Sequence, residues 1–221
     1  VSQQKLLRLL QLNSPSLPIG TYAYSQGLEA AVHQGQIADI GQAKAWMTLL
    51  LRHSLANNDL AVIAQAYALW EQEDYTQLNV LAKTSRALRE TEELLQEDTH
   101  LSRALLRLAE PMGVPIEDRF NRKTSFPVVY ARFAQAWRVD LQQALTAFAW
   151  SWLENQIAAL LKLCSIGQTQ AQVMMLELDE VVLEAVETAQ NLPKDALGMS
   201  LPNYAILSAR HEIQYSRLFR S

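Results

Sequence analysis

The chain has 221 residues, with nineteen Lys and Arg against 23 Asp and Glu and a formal net charge of −4. That length suits one domain with a substantial core, and a mildly acidic balance offers no electrostatic footprint for gripping nucleic acid. Seven Gly and seven Pro are few for a sandwich, a barrel or a dinucleotide-binding sheet, and the single Cys164 excludes an internal disulfide framework.

At the start, Arg8 interrupts the only early apolar run, Leu6 to Leu12, so no targeting segment is read there. No stretch of about 18 apolar residues follows, so no membrane span is expected and the expected location is cytoplasmic. Ser14 to Thr21, with two prolines and a glycine, reads as a loop. A helix beginning near Ser25 should stop at Gly35, and Asp39 with Gln42 reads as a capping box for the next one. Leu60, Ile63, Ala64 and Tyr67 make one buried helical stripe, and Leu94, Leu101, Leu105 and Leu108 make another. Arg86 and Glu90, four residues apart, read as its solvated face. The stretch from Glu110 to Phe126 reads as non-helical, Asp140 with Gln143 as a second capping box, and Leu141, Leu145, Phe148 and Trp152 as a third stripe. Val128-Val129 and Val181-Val182 are isolated pairs without the alternation of strands. Asn191 to Pro202 is the last irregular segment. The expectation is one all-α domain over residues 1–221, a bundle of about eight to ten helices, with an interaction tail at 208–221.

Familiar catalytic patterns are missing. No phosphate-binding G-x-x-x-x-G-K-[ST] occurs, and His211-Glu212 opens like a zinc motif but has Tyr215 where the second histidine is required. His33, His53, His100 and His211 never stand four apart, so no fixed metal site is expected. Ala23-Tyr24-Ser25-Gln26-Gly27 resembles a relaxed nucleophile elbow, but no strand precedes it and Ser25 reads better as a helix cap.

Two segments stand out. The first, Leu12 to Glu29, packs turn formers, Tyr22 and Tyr24 ahead of a helix whose first turn holds Glu29. The bland readings are half-buried rings and an acid suited to the helix dipole. The second is the end, Ser208 to Ser221, which mixes Arg, Tyr, Leu and Phe, the residue types that anchor interfaces. Composition leaves open whether it docks on its own domain or orders on a partner. The burial gain that Leu218 and Phe219 offer to a partner surface favours the second: the tail from Arg210 to Ser221 is expected to be an interface and not a structural prop, so deleting 210–221 should leave the melting temperature almost unmoved.

The run Arg210-His211-Glu212-Ile213-Gln214-Tyr215-Ser216-Arg217-Leu218-Phe219-Arg220-Ser221 resembles the terminal signature of the UreF family of urease accessory proteins. Ser16 to Tyr22 and Tyr24 to Glu29 resemble its other signature. Arg89-Glu90 with Glu92-Glu93, Trp152 to Asn155 and Lys162 to Gln168 match in order between them. Thr21 stands where many members carry a second glycine, and Ala205 where many carry an acid.

The resemblance implies an all-α homodimer without a reaction of its own. It implies a scaffold joining UreD (also called UreH) and the GTPase UreG, to drive nickel insertion into the urease apoprotein. It assigns Arg210, His211, Glu212, Tyr215, Arg217, Leu218, Phe219 and Arg220 to UreD. It assigns Gly20, Tyr22, Glu29 and Lys162 to the GTPase, with Asp59 as a weaker candidate. Two alternatives stay open: a nickel-binding metallochaperone using Glu29, His33 and His211, and an activator that donates Arg or Lys to the GTPase. No cofactor, nucleic acid or membrane is implied.

Overall fold

The computed structural model describes residues 2–117, 120, 123–199 and 201–221. Its elements are α1 (Gln3–Leu12), a 3₁₀ turn (Thr21–Ala23), α2 (Leu28–His33), α3 (Ile40–Leu49), a π-helical stretch (Leu50–Leu60), α4 (Ala61–Glu71), α5 (Tyr75–Ala87), α6 (Glu92–Ala109), α7 (Phe126–Ala136), α8 (Leu141–Leu163), α9 (Gln168–Glu177), α10 (Asp179–Asn191) and α11 (Pro202–Glu212). No strand occurs among the described residues, as expected for an all-α chain. The π stretch joins α3 to α4 without a break, so the described residues form ten helical rods. Four of the residues between Glu110 and Phe126 lie outside the described set.

Local chemistry sets the helix ends. The Asp39 carboxylate accepts the Gln42 amide at 2.8 Å, while the Gln42 side chain reaches back to the Ala38 amide rather than that of Asp39. Asp140 accepts the Gln143 amide at 3.2 Å to start α8. Gly35 follows α2 at φ +72°, the left-handed conformation that closes a helix cheaply only in glycine. Inside the π stretch the Asn57 side-chain amide donates to the Arg52 and His53 carbonyls, giving partners to groups that the wider winding loosens.

Two expectations need correction. Ser25 is not the cap of α2, which starts at Leu28 behind Gly27 at φ +78°. The Ser25 hydroxyl still accepts the Glu29 amide from inside the fold. Arg86 and Glu90 do not share a helix face either. The chain leaves α5 after Ala87 and re-enters a helix behind Thr91, whose hydroxyl caps α6. Arg86 instead crosses to Asp98 and Thr99.

The long α8 runs through the middle of the bundle against α10, α9, α7, α4 and α2, while α7 lies between α4 and α6. The predicted stripes face inward: Leu60, Ile63, Leu105 and Leu145 are fully buried. The Tyr130 hydroxyl donates to the Ala144 carbonyl and to Asn13, tying the end of α1 to α7 and α8. No helix among the described residues is long and apolar enough to cross a membrane. α11 packs on α2 and α6, which delivers the last nine residues to Ala23 and Ser25, just ahead of α2.

Candidate functional site

The two segments singled out by the sequence meet. From α11 the chain turns back over the start of α2, and its main chain is fixed there residue by residue. The amides of Leu218 and Phe219 donate to the two oxygens of Glu29 at 2.7 and 2.9 Å. The Arg220 amide donates to the Ala23 carbonyl at 2.9 Å, and the Ser25 amide donates to the Ser221 carbonyl at 2.8 Å. The Ser25 hydroxyl donates to that same carbonyl. The arrangement resembles a short pairing of two chain segments, one from each end of the molecule.

Beneath it lies a charged cluster. His211, in the last turn of α11, is 0 % exposed. Its Nδ1 is 2.7 Å from Glu93 of α6 and its Nε2 is 3.0 Å from Glu29 of α2. Arg217 reaches the other oxygen of Glu93 at 2.5 Å, and Glu212 accepts the Glu93 amide at 3.3 Å. Burial pushes the Glu29 carboxyl up, but hydrogen bonds from His211 and from the Leu218 and Phe219 amides outweigh it and hold the group below the usual glutamate range. One turn along α6, Glu97 accepts from Gln26 at 2.8 Å and from the Ser221 hydroxyl at 3.2 Å. Gln26 in turn accepts the Trp152 indole N–H at 2.6 Å.

Burial pushes the Glu97 carboxyl up to about 7, against the opposing pull of Gln26, Arg89 and Ser221. A carboxyl raised by folding gives stability that is complete below about pH 4.5 and is lost as pH rises through about 7. Glu97→Gln, which keeps the shape and removes the titration, should therefore flatten the stability–pH curve. It should stabilise the chain at pH 8 by up to roughly 3 kcal/mol, measured by urea unfolding across pH 5–8.

A second buried cluster lies deeper. Arg89 holds Asp59 through two bonds, at 2.6 and 3.2 Å, and Asp98 at 3.2 Å. Asp98 also accepts the Phe126 amide at the start of α7. Burial favours the neutral guanidine, but Asp59 and Asp98 outweigh it and hold Arg89 charged. This network borders a cavity of about 110 Å³ that also touches Thr21, Glu97 and Gln156. Three of its lining residues bring buried polar atoms that lack a partner among the described residues: Asn58 Oδ1, Arg89 Nε and Gln156 Oε1.

The predicted residues thus divide. Gly20 takes φ +86° with open space around it, and Tyr22 is 64 % exposed on the adjoining turn. Glu29 lies under the tail rather than on the surface, and Lys162 stands over the Phe219 ring at 5.4 Å. Asp59 belongs to the inner network. In the tail, Tyr215 is fully exposed and Leu218 is 62 % exposed, and Arg210 points outward to Gln34. His211, Phe219 and Ser221 are buried.

The expectation of a tail free in water, with Leu218 and Phe219 both waiting for a partner, is corrected. Phe219 already has its burial, and backbone hydrogen bonds secure the residues on either side. His33, Glu29 and His211 do not gather as a metal set. His33 is exposed, the two His211 nitrogens face different carboxylates, and no group of three metal-binding side chains converges among the described residues.

Sequence reading assigned no role to Glu93, Glu97 or Arg89. The signal was present: stepping back by four from Leu105 and Leu101 leads to Glu97 and Glu93, two acids on a stripe otherwise buried and apolar.

A family model for UreF matches residues 37–179. Urease accessory protein UreF of Alkalilimnicola ehrlichii is 39% identical over 219 residues, covering 97% of this chain and 95% of its own. The proteins of that name from Marinomonas sp. and Teredinibacter turnerae are each 42% identical, covering 98% of this chain and 94% and 99% of their own. These matches run over nearly the whole of this chain and of each relative. The chain belongs to the UreF family.

Proposed function

We propose that the chain serves urease maturation as a non-enzymatic scaffold that joins UreD (UreH) to the GTPase UreG during nickel insertion into the urease apoprotein, working as a homodimer in the cytoplasm. Membership of a family whose members are named urease accessory proteins supports the maturation role. The observation that carries the scaffold reading is the fusion of two surfaces. Tyr22 stands on the turn whose Ala23 carbonyl receives the tail, and Ile213, Tyr215 and Leu218 leave the same tail exposed and apolar.

Exposed rings and leucines beside arginines are the usual anchors of a protein interface. Under this reading UreD takes the outer tail, with Tyr215 and Leu218 as anchors and Arg210, Arg217 and Arg220 at the rim. The GTPase takes Gly20, Tyr22 and the neighbouring Lys162. His211, Glu212, Phe219 and Glu29 act from beneath by holding the tail in place. Asp59 acts on the bundle.

The test is co-purification with UreD and UreG of the wild type, a Tyr215→Ala, Leu218→Ala variant and a Tyr22→Ala variant. Because all three side chains are exposed, each variant should keep its unfolding free energy within about 0.5 kcal/mol of wild type. The tail variant should lose UreD and the Tyr22 variant should lose UreG. Normal capture of both partners by both variants would remove the assignment.

A further inference from the structure

The chamber of about 110 Å³ beside Arg89 is walled by both charged and apolar side chains. On its polar side, acceptors outnumber donors. Two lining oxygens, Asn58 Oδ1 and Gln156 Oε1, are buried without a hydrogen-bond partner among the described residues, against one lining donor, Arg89 Nε. A buried polar atom left unpaired is costly, so these oxygens call for N–H or O–H groups inside the chamber.

Charge points the same way. Arg89 is committed to Asp59 and Asp98, and Arg86 takes the other oxygen of Asp98. Glu97, the third acid of this buried wall, is bonded by the neutral Gln26 and Ser221, while Arg89 attracts it from further off. Two guanidinium groups therefore serve three carboxyls, and Glu97 is the one without an ion pair among the described residues. Gln156 is held next to it through the chain. Its amide donates to the Ser25 carbonyl at 3.2 Å, and the following residue, Gln26, is the one that holds Glu97. The remaining wall includes Leu101, Leu105, Tyr130 and Phe148, all buried. Aromatic rings attract an ammonium head, and leucines suit an alkyl body. An apolar cavity of about 150 Å³ takes up benzene, so this one has room for a molecule of about four heavy atoms. The chamber reaches half-buried Thr21 and Asn155 and exposed Glu90 at its rim, which gives a small molecule a way in.

We propose that this chamber binds a small protonated primary amine, whose ammonium group donates to Glu97 and Gln156 while its alkyl body lies against Leu101, Leu105 and Phe148. The ammonium supplies the missing charge and the missing donors together. Asn58 Oδ1 and Arg89 Nε, an acceptor and a donor, are left for water to satisfy. The site lies within one chain and stands or falls independently of the scaffold reading.

The test is a titration of the full chain with propylammonium chloride at pH 8, above the raised Glu97 value of about 7, so that this carboxyl is mostly ionised. The reporter is the indole N–H resonance of Trp152, which lines the chamber and donates to Gln26. A saturable shift is expected, with a Kd of about 1 mM for so small a ligand. Two probes separate the parts of the recognition: 1-propanol has the size without the charge, and potassium chloride has the charge without N–H groups. Neither should produce the saturable shift. Glu97→Gln, which keeps the shape of the wall, should weaken propylammonium binding at least about tenfold, the worth of a charge-assisted hydrogen bond. No saturable shift in the wild type would overturn the proposal. So would an equal response to 1-propanol or to potassium chloride, or an unchanged affinity in Glu97→Gln.

Discussion

Glu29→Ala is expected to lower the stability of the isolated chain by about 3–5 kcal/mol, the cost of removing one partner from a buried ion pair. The carboxylate is the single acceptor for two consecutive tail amides and half of the support of a fully buried imidazole. For a chain of this size the loss corresponds to a melting temperature lower by about 10 °C, measured by calorimetry. Glu29→Gln, which keeps an acceptor, should lie between the variant and wild type. The pH dependence has a definite sign. A carboxyl held low by folding contributes stability above its ordinary value of 4.5 and loses it as pH falls through the folded value. The gap between wild type and Glu29→Ala should therefore narrow in acid.

Arg89→Met should cost a similar amount, about 3–5 kcal/mol, for the same reason. It leaves Asp59, mostly buried, without its cation, and Asp98, whose side chain is almost wholly buried, with Arg86 as its remaining one at 3.3 Å. Because Asp59 sits at the end of the π stretch and Asp98 receives the first amide of α7, the damage should spread to both rods. Adding Asp59→Asn to Arg89→Met should restore part of the loss by removing one uncompensated charge, and urea unfolding at pH 7 checks both variants. Effects of Asp59 substitutions on a partner would then be traced to the bundle, since its oxygens are turned inward on Arg89.

The helical stripes were legible because apolar spacing at three and four residues survives burial almost unchanged. Leu60 with Ile63 and Leu101 with Leu105 follow it directly. The continuous rod from α3 through α4 was not legible, because π winding is maintained by particular partners such as the Asn57 side chain and by tertiary contact with α10. At the site, the types of residue were readable but their sides were not. Leu218 and Phe219 are adjacent and equally apolar, yet one faces water and the other the core. That split follows from the backbone pairing with Ala23 and Ser25, nearly 200 positions away, which no local pattern encodes. His211 read as an isolated histidine because its two carboxylates come from α2 and α6.

The end of the chain is built into the domain, with only its outer face exposed. Thermal unfolding of a chain ending at Glu212, compared with the full 221 residues, tests it most directly. Removing 213–221 strips Phe219 from the core and leaves Glu29 without its two backbone donors. The expected result is a cooperative transition lowered by about 10 °C. A melting temperature unchanged from the full chain would contradict it.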